Sequence, residues 1–279
     1  MEKRELNYIY IIGLFVGLIF IFIPMLFFSG ARTPLIYLNI GGFLFTVGGT
    51  IASAILSYPK KDLILSAFKG FITPFIYSPP DYVNVIQKIY GVASRIRGNI
   101  LLLYVRKEDE EFLKEAISLI KEGYPPDEVE SFLKRRVEST YDEYEKILGM
   151  YHQMSRMAPT FGFMGTVAGL MAIFSRMGEF SLETIAPGMG VALSTTLYGL
   201  ILAGFIFSPL AEFFRKVMEE DLLLRKIIAE GCLLIARGKH PLIIREAMVS
   251  LLPIELREKL QVVPFAEIRE ERREERQKR

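Results

Sequence analysis

Residues 158–170 read Ala158-Pro159-Thr160-Phe161-Gly162-Phe163-Met164-Gly165-Thr166-Val167-Ala168-Gly169-Leu170. A second stretch opens at Pro187-Gly188-Met189, passes through Thr195-Thr196-Leu197-Tyr198-Gly199 and closes at Ser208-Pro209-Leu210-Ala211. Neither contains Asp, Glu, Lys, Arg or His. Each is long enough to cross a bilayer as a helix, which takes about 20 apolar residues. An inert anchor would be mostly Leu, Ile and Val. Prolines, glycines and hydroxyls instead predict helices that pack closely and line something polar.

Working outward, two further apolar runs occupy residues 6–28 and 36–58, again without Asp, Glu, Lys, Arg or His. The whole chain of 279 residues is 51% hydrophobic, with a mean hydropathy of +0.30. That excess over a soluble protein is modest because it is confined to the runs. The expected fold is an all-α membrane protein. It has four transmembrane helices in two hairpins plus a large helical cytoplasmic domain.

The expected organisation places an N-terminal hairpin at 1–58, with spans at 6–28 and 36–58. A cytoplasmic helical domain follows at 59–157. A second hairpin occupies 158–211, with spans at about 158–177 and 187–211, and cytoplasmic helices and a charged tail occupy 212–279. Lys3 and Arg4 precede the first run, as in a secretory signal. The run is too long for a signal's apolar region of about 7–15 residues, so an uncleaved anchor is expected. Arg32 and Arg176 are the only basic residues of the two short links, whereas Lys60, Lys61, Lys69, Arg95, Arg97 and many others lie elsewhere. The positive-inside rule then puts both termini and the segment 59–157 in the cytoplasm of a bacterial inner membrane.

The aqueous segments read as helical. Tyr82, Val85, Ile86, Ile89 and Tyr90 recur at helical spacing, as do Phe112, Leu113, Ala116, Ile117 and Ile120. Gly123 is expected to end the second of these helices, and Pro125-Pro126-Asp127 to start a longer one running toward the membrane. The almost wholly charged segment 267–279 reads as a solvated helix or a disordered tail.

A net charge of +2, without a basic stripe interleaved with aromatics, speaks against nucleic acid. Cys232 stands alone and His152 and His240 lie far apart, so no cysteine-based metal site is expected. No nucleotide-binding loop and no nucleophile–base set is evident, so neither an enzyme nor a bound cofactor is expected. An ionisable side chain in a span flags function by default. Its absence means that, if the chain conducts cations, a partner helix must supply the carboxylate.

The hydroxyls carry the specific part of the reading. Gly162, Thr166 and Gly169 fall on one face of the third span. Thr195, Gly199 and Ala203 fall on one face of the fourth, with Thr196 beside them. Threonine oxygens on such faces can ligate a partly dehydrated cation or hold a water file. The structural alternative is that each threonine bonds its own i−4 carbonyl. Pro159 and Pro209 sit at opposite ends of the hairpin. Pro159 reads as a boundary residue at a helix start, and Pro209 as one that frees a carbonyl a turn back and bends the helix.

Ala158-Pro159, Gly162, Gly165-Thr166, Gly169-Leu170, Pro187-Gly188-Met189, Ala192-Leu193, Thr195 to Gly199 and Pro209-Leu210-Ala211 resemble the MotA/PomA family of flagellar stator subunits. Gly48-Gly49-Thr50 and Tyr58-Pro59-Lys60-Lys61-Asp62 extend the likeness to the first hairpin. The resemblance covers nearly all of 6–215. The TolQ/ExbB relatives, with three spans, are more distant.

The resemblance implies a self-associated ring, usually pentameric in that family, around a MotB/PomB-like single-span partner. That partner carries the essential membrane Asp and anchors to peptidoglycan. It implies an ion pathway at Thr166, Thr195 and Thr196, conformational coupling at Pro159 and Pro209, and helix packing at Gly162, Gly165, Gly169 and Gly199. It implies contact with a FliG-like rotor protein at Arg95, with Arg97 as the alternative. The family often has Glu where this chain has Leu103; Glu108 to Glu111 are candidate substitutes, but an ordinary solvated acidic turn is the favoured reading of them. The threonines resemble sodium-type subunits, so Na+ is favoured over H+ as the transported ion, although some proton-type relatives keep them. The competing readings are a TolQ/ExbB-like energiser of outer-membrane processes and a passive oligomeric scaffold.

Overall fold

A computed structural model describes residues 8–28, 37–95, 111–175 and 182–261. Every regular element among them is helical. In chain order they are α1 (Tyr8–Phe28), α2 (Ile40–Ser57), α3 (Lys61–Gly70), α4 (Thr73–Ile76), α5 (Tyr82–Arg95) and α6 (Glu111–Lys121). Then come α7 (Pro126–Phe174), α8 (Leu182–Ile201), a π-helical segment (Leu202–Phe207), α9 (Ser208–Ala236), α10 (Pro241–Ser250) and α11 (Ile254–Gln261).

The boundaries follow local chemistry. Asn39 caps α2, its side-chain oxygen accepting from the Gly42 N–H at 2.8 Å. Beyond α6, Gly123 adopts φ +81°, a left-handed conformation that glycine takes without cost. Pro126 opens α7, where its missing N–H is no loss, and Asp127 and Glu128 favour that positive helix end. Gly238, at φ +64°, terminates α9, and the Lys239 N–H returns to the Leu234 carbonyl at 3.0 Å.

Among the described residues three stretches are long and apolar enough to cross a membrane: Ile40–Ser57, the apolar part of Pro126–Phe174, and that of the run Ile185–Ala236. In α1 a shorter apolar stretch, Phe15–Pro24, falls below that length. By length and composition these helices suit a membrane-spanning chain.

The chain divides into two compact units. The first comprises 1–79 and 142–218. Its core gathers Ala54, Ala67, Tyr151, Met154, Ala158, Phe207, Leu210 and Phe214. The Tyr151 hydroxyl donates to the Ala67 carbonyl at 2.5 Å, tying α3 to α7. The second unit comprises 80–141 and 219–279. Ile86 and Ile89 of α5, Ile117 of α6, Val129 of α7, Ile227 and Ile228 of α9, and Met248 of α10 close its core. The Tyr82 hydroxyl donates to the Glu220 carbonyl there at 3.1 Å. On the unit's surface Arg237 pairs with Glu130 at 2.7 Å, an exposed contact of small worth.

One expectation about the prolines changes. Pro159 does not start a helix. It sits inside α7, which begins at Pro126 and runs unbroken to Phe174. Burial of the following turns against neighbouring helices outweighs the missing hydrogen bond. Upstream of Pro209 the helix widens into the π segment, which the sequence did not predict. The Ser208 N–H reaches back to the Ala203 carbonyl, five residues away, instead of the ordinary four. Proline brings no N–H of its own to continue the α pattern.

Candidate functional site

The site lies where α7 and α8 cross, wholly within the first unit. Two glycines let the backbones meet. A Cβ at Gly162 would stand 2.9 Å from the Thr195 carbonyl oxygen and 3.2 Å from Thr196 Cα. One at Gly199 would stand 2.5 Å from the Ala158 carbonyl oxygen and 3.1 Å from Pro159 Cα. Gly169 plays the same part farther along, where a Cβ would lie 2.6 Å from the Gly188 carbonyl oxygen. Lipid supplies no hydrophobic drive between such helices, so close van der Waals approach through small residues holds them.

This approach brings Thr166 and Thr196 together. Their hydroxyl oxygens lie 2.5 Å apart, and Thr166 also reaches the Ala192 carbonyl at 3.1 Å and its own Gly162 carbonyl at 3.2 Å. Thr196 reaches the Ala192 carbonyl at 3.3 Å. Both residues are half-buried. The pair therefore presents two oxygens that already share one proton donor. Each has a spare lone pair for water or a cation.

Thr195 is placed differently. It has 0% exposure, and its hydroxyl is spent on the Val191 and Ala192 carbonyls, each at 3.0 Å. Its side chain wedges between Gly165 of α7 and Gly42 of α2, where added Cβ atoms would fall 2.5 Å and 2.9 Å away. Thr46 and Thr50, fully buried on α2, likewise bond the Gly42 and Thr46 carbonyls one turn back. All three follow the back-bonding pattern of membrane threonines.

Of the two coupling prolines, Pro159 touches Gly199, and Pro209 sits just beyond the π segment. The Ser155 hydroxyl, one turn before Pro159, donates to the Ala203 carbonyl at 3.4 Å. That carbonyl is the one that accepts the π bond from Ser208. Arg95 ends α5. Arg97, Leu103, Glu108 to Glu110 and the segment 267–279 lie outside the described residues. Glu111 begins α6. His152 stands beside Arg215 at 3.4 Å, and among the described residues no cluster of potential metal ligands occurs.

The sequence alone marks no role for Tyr198. Its hydroxyl donates to the Tyr37 carbonyl and accepts from the Asn39 N–H at 2.7 Å, pinning the start of α2 to α8. A polar Asn directly before an apolar run was the available signal for the cap. Nothing local marks its tyrosine partner, which lies far along the chain.

Residues 105–227 match the MotA/TolQ/ExbB proton channel family, and the match includes the α7–α8 crossing. "Motility protein A" of Aquifex aeolicus is 27% identical over 257 residues, covering 90% of this chain and 98% of that protein. "Chemotaxis protein PomA" of Vibrio alginolyticus is 28% identical over 235 residues, covering 84% and 90% respectively. Among solved structures, the MotAB structure from C. jejuni aligns with a TM-score of 0.78 at 20% identity, covering 89% of this chain and 96% of that one. The flagellar MotAB stator complex from Bacillus subtilis aligns at 0.76 and 22%, covering 88% and 98%.

The structures establish the shared fold. The class is an all-helical chain whose residues 105–227 match the MotA/TolQ/ExbB family and whose fold is that of the MotAB structures. Along nearly its whole length the chain is similar to motility protein A and PomA chains.

Proposed function

We propose that this chain is the ion-path subunit of a flagellar stator. With a single-span MotB/PomB-like partner it couples cation flow to torque on the rotor. One observation carries the reading: two half-buried threonine hydroxyls, Thr166 and Thr196, meet at 2.5 Å between the apolar stretches 158–170 and 187–211, which carry no charged side chain. Such stretches offer oxygens but no titrating group. A carboxylate on a partner helix completes the path.

In this reading α1 crosses the membrane as the fourth span, and both termini face the cytoplasm. The cation passes along Thr166 and Thr196, with Thr195 behind them as the wedge that holds α2 and α8 in register. Sodium needs several oxygen ligands, whereas a proton needs only an acid and a water chain. The hydroxyl pair therefore favours Na+ over H+ as the transported ion. Each charge crossing the membrane supplies about 2.3 kcal/mol per 100 mV. Pro159, pressed on Gly199, and Pro209, beside the π segment, transmit the change at the partner's acid to the cytoplasmic helices. Arg95 or Arg97 engages a FliG-like rotor protein, and copies of the chain surround the partner in a ring, five in number.

The test is ion flux in vesicles holding the full chain with and without the single-span partner, under imposed sodium or proton gradients. The expected result is flux only with the partner, driven by sodium. Selective current through the chain alone would overturn the reading.

A further inference from the structure

An open apolar furrow runs along α2 on the side facing the π segment. Phe43, Val47 and Ile51 of α2 line it, with Leu202 and Ile206 opposite and Phe68 of α3 at one end. Its volume is about 200 Å³, and no polar side chain lines it. A second cavity of about 500 Å³ shares Phe43, Leu202 and Ile206 and continues toward Asn39 and Tyr198. From Phe43 to Ala54 the first furrow follows α2 for about 16 Å at 1.5 Å per residue. One leaflet of a bilayer core is about 15 Å deep.

The chain leaves the end of α2 and turns at once into α3. Lys60 immediately precedes that helix, which carries Lys61 and Lys69; all three are exposed, against a single acid, Asp62. Between the lysines it exposes Leu65 at 55% and Phe68 at 47%. Phe68 faces the same furrow as the membrane-spanning residues of α2, so the outward side of α3 borders the hydrocarbon edge. Lysine stems lie along apolar surface while their ammonium groups reach the head-group level. A short amphipathic helix of this composition is built for an interface.

We propose that this furrow is a site for an anionic glycerophospholipid. One acyl chain lies along Phe43, Val47 and Ile51, and the phosphate is held by the lysines of α3. Apolar burial holds the tail, and the positive charge selects the head group. The lipid would brace α2 against the π segment. This inference needs only that the chain is embedded in a membrane, and is independent of ion conduction.

The chain has no tryptophan, so a single introduced one reports alone. Phe68→Trp in the full chain, reconstituted in vesicles, is titrated with brominated phosphatidylglycerol or brominated phosphatidylcholine. Phe20→Trp on α1, 75% exposed, reports ordinary surrounding lipid. Phe43→Trp is the second furrow reporter, should Phe68→Trp misfold. The expected result is quenching in the furrow at about fivefold lower phosphatidylglycerol than phosphatidylcholine, the effect of one lysine near an anionic lipid surface. Phe20→Trp shows no such preference, and Lys60→Gln with Lys61→Gln and Lys69→Gln abolishes it in the furrow. Equal quenching by the two lipids at Phe68 or Phe43 would overturn the proposal. So would a preference that survives loss of the lysines. Absence of quenching would overturn it too, and would point to a neighbouring copy filling the furrow.

Discussion

The hydroxyl oxygens of Thr166 on α7 and Thr196 on α8 stand 2.5 Å apart, and both also reach the Ala192 carbonyl. Replacing either hydroxyl by a methyl keeps the volume and removes an oxygen. Thr196→Val is expected to lower ion flux about fivefold or more, the worth of about 1 kcal/mol. Thr166→Val should do the same, and the double variant should lose less than the product of the two because the groups share one contact. Flux measured with the partner present, across a sodium titration, checks this. Unchanged flux would remove the pair from the path.

Gly199 meets backbone, not side chain. A Cβ there would press on the Ala158 carbonyl and Pro159 Cα, neither of which can rotate away. Gly199→Ala is expected to cost about 1–3 kcal/mol through overpacking. Gly190 on the same helix has nothing within 4 Å. Gly190→Ala should be neutral or slightly stabilising, since alanine is the better helix former. Thermal unfolding of the two variants in the same detergent compares them directly.

The Tyr198 hydroxyl holds both the Tyr37 carbonyl and the Asn39 N–H. Tyr198→Phe leaves both without that partner, at a cost of about 1–3 kcal/mol where no water replaces it. Faster amide exchange confined to residues 37–43, with the rest of the chain unchanged, is the expected signature.

Pro209 follows the π segment and lacks the N–H that would restore α bonding. Pro209→Leu supplies it. The segment is expected to revert to an ordinary α-helix, and removal of one extra residue per turn rotates the following part of α9 by about 100°. Swimming should stop while the chain still reaches the membrane and assembles with its partner. Normal swimming would free Pro209 from any part in coupling.

Burial, with Glu220 and Asp221 adding to it, raises the Tyr82 hydroxyl to about 12. An unfolded tyrosine titrates at about 10. The folded state therefore holds its proton more tightly. The stability this gives is complete below about pH 10 and is lost as pH climbs toward 12. Tyr82→Phe should lose about 1 kcal/mol at neutral pH with the bond to the Glu220 carbonyl, and should unfold with a flatter alkaline limb. Denaturant melts at neutral and alkaline pH separate the two effects.

The apolar runs, their missing charges and the glycine–threonine spacing were enough to read an all-helical membrane chain and to single out the α7–α8 face. Those are properties of one segment at a time. A charge either lies within a run or does not, and helical spacing fixes which residues share a face. Helix ends were legible for the same reason at Gly123 and Pro126, where one residue's dihedral preference decides.

Which threonine faces what was not legible. Thr195 and Thr196 are neighbours in sequence, yet one is sealed between Gly42 and Gly165 and the other meets Thr166. A step of one residue turns a helix by about 100°. The helix that lies on each side is a choice made by packing between distant segments. The same holds for Pro159, read as a boundary but placed inside α7, and for the π segment, which depends on where Ser208 finds a carbonyl. Sequence determined what each helix offers; the tertiary contacts decided which of those groups meet.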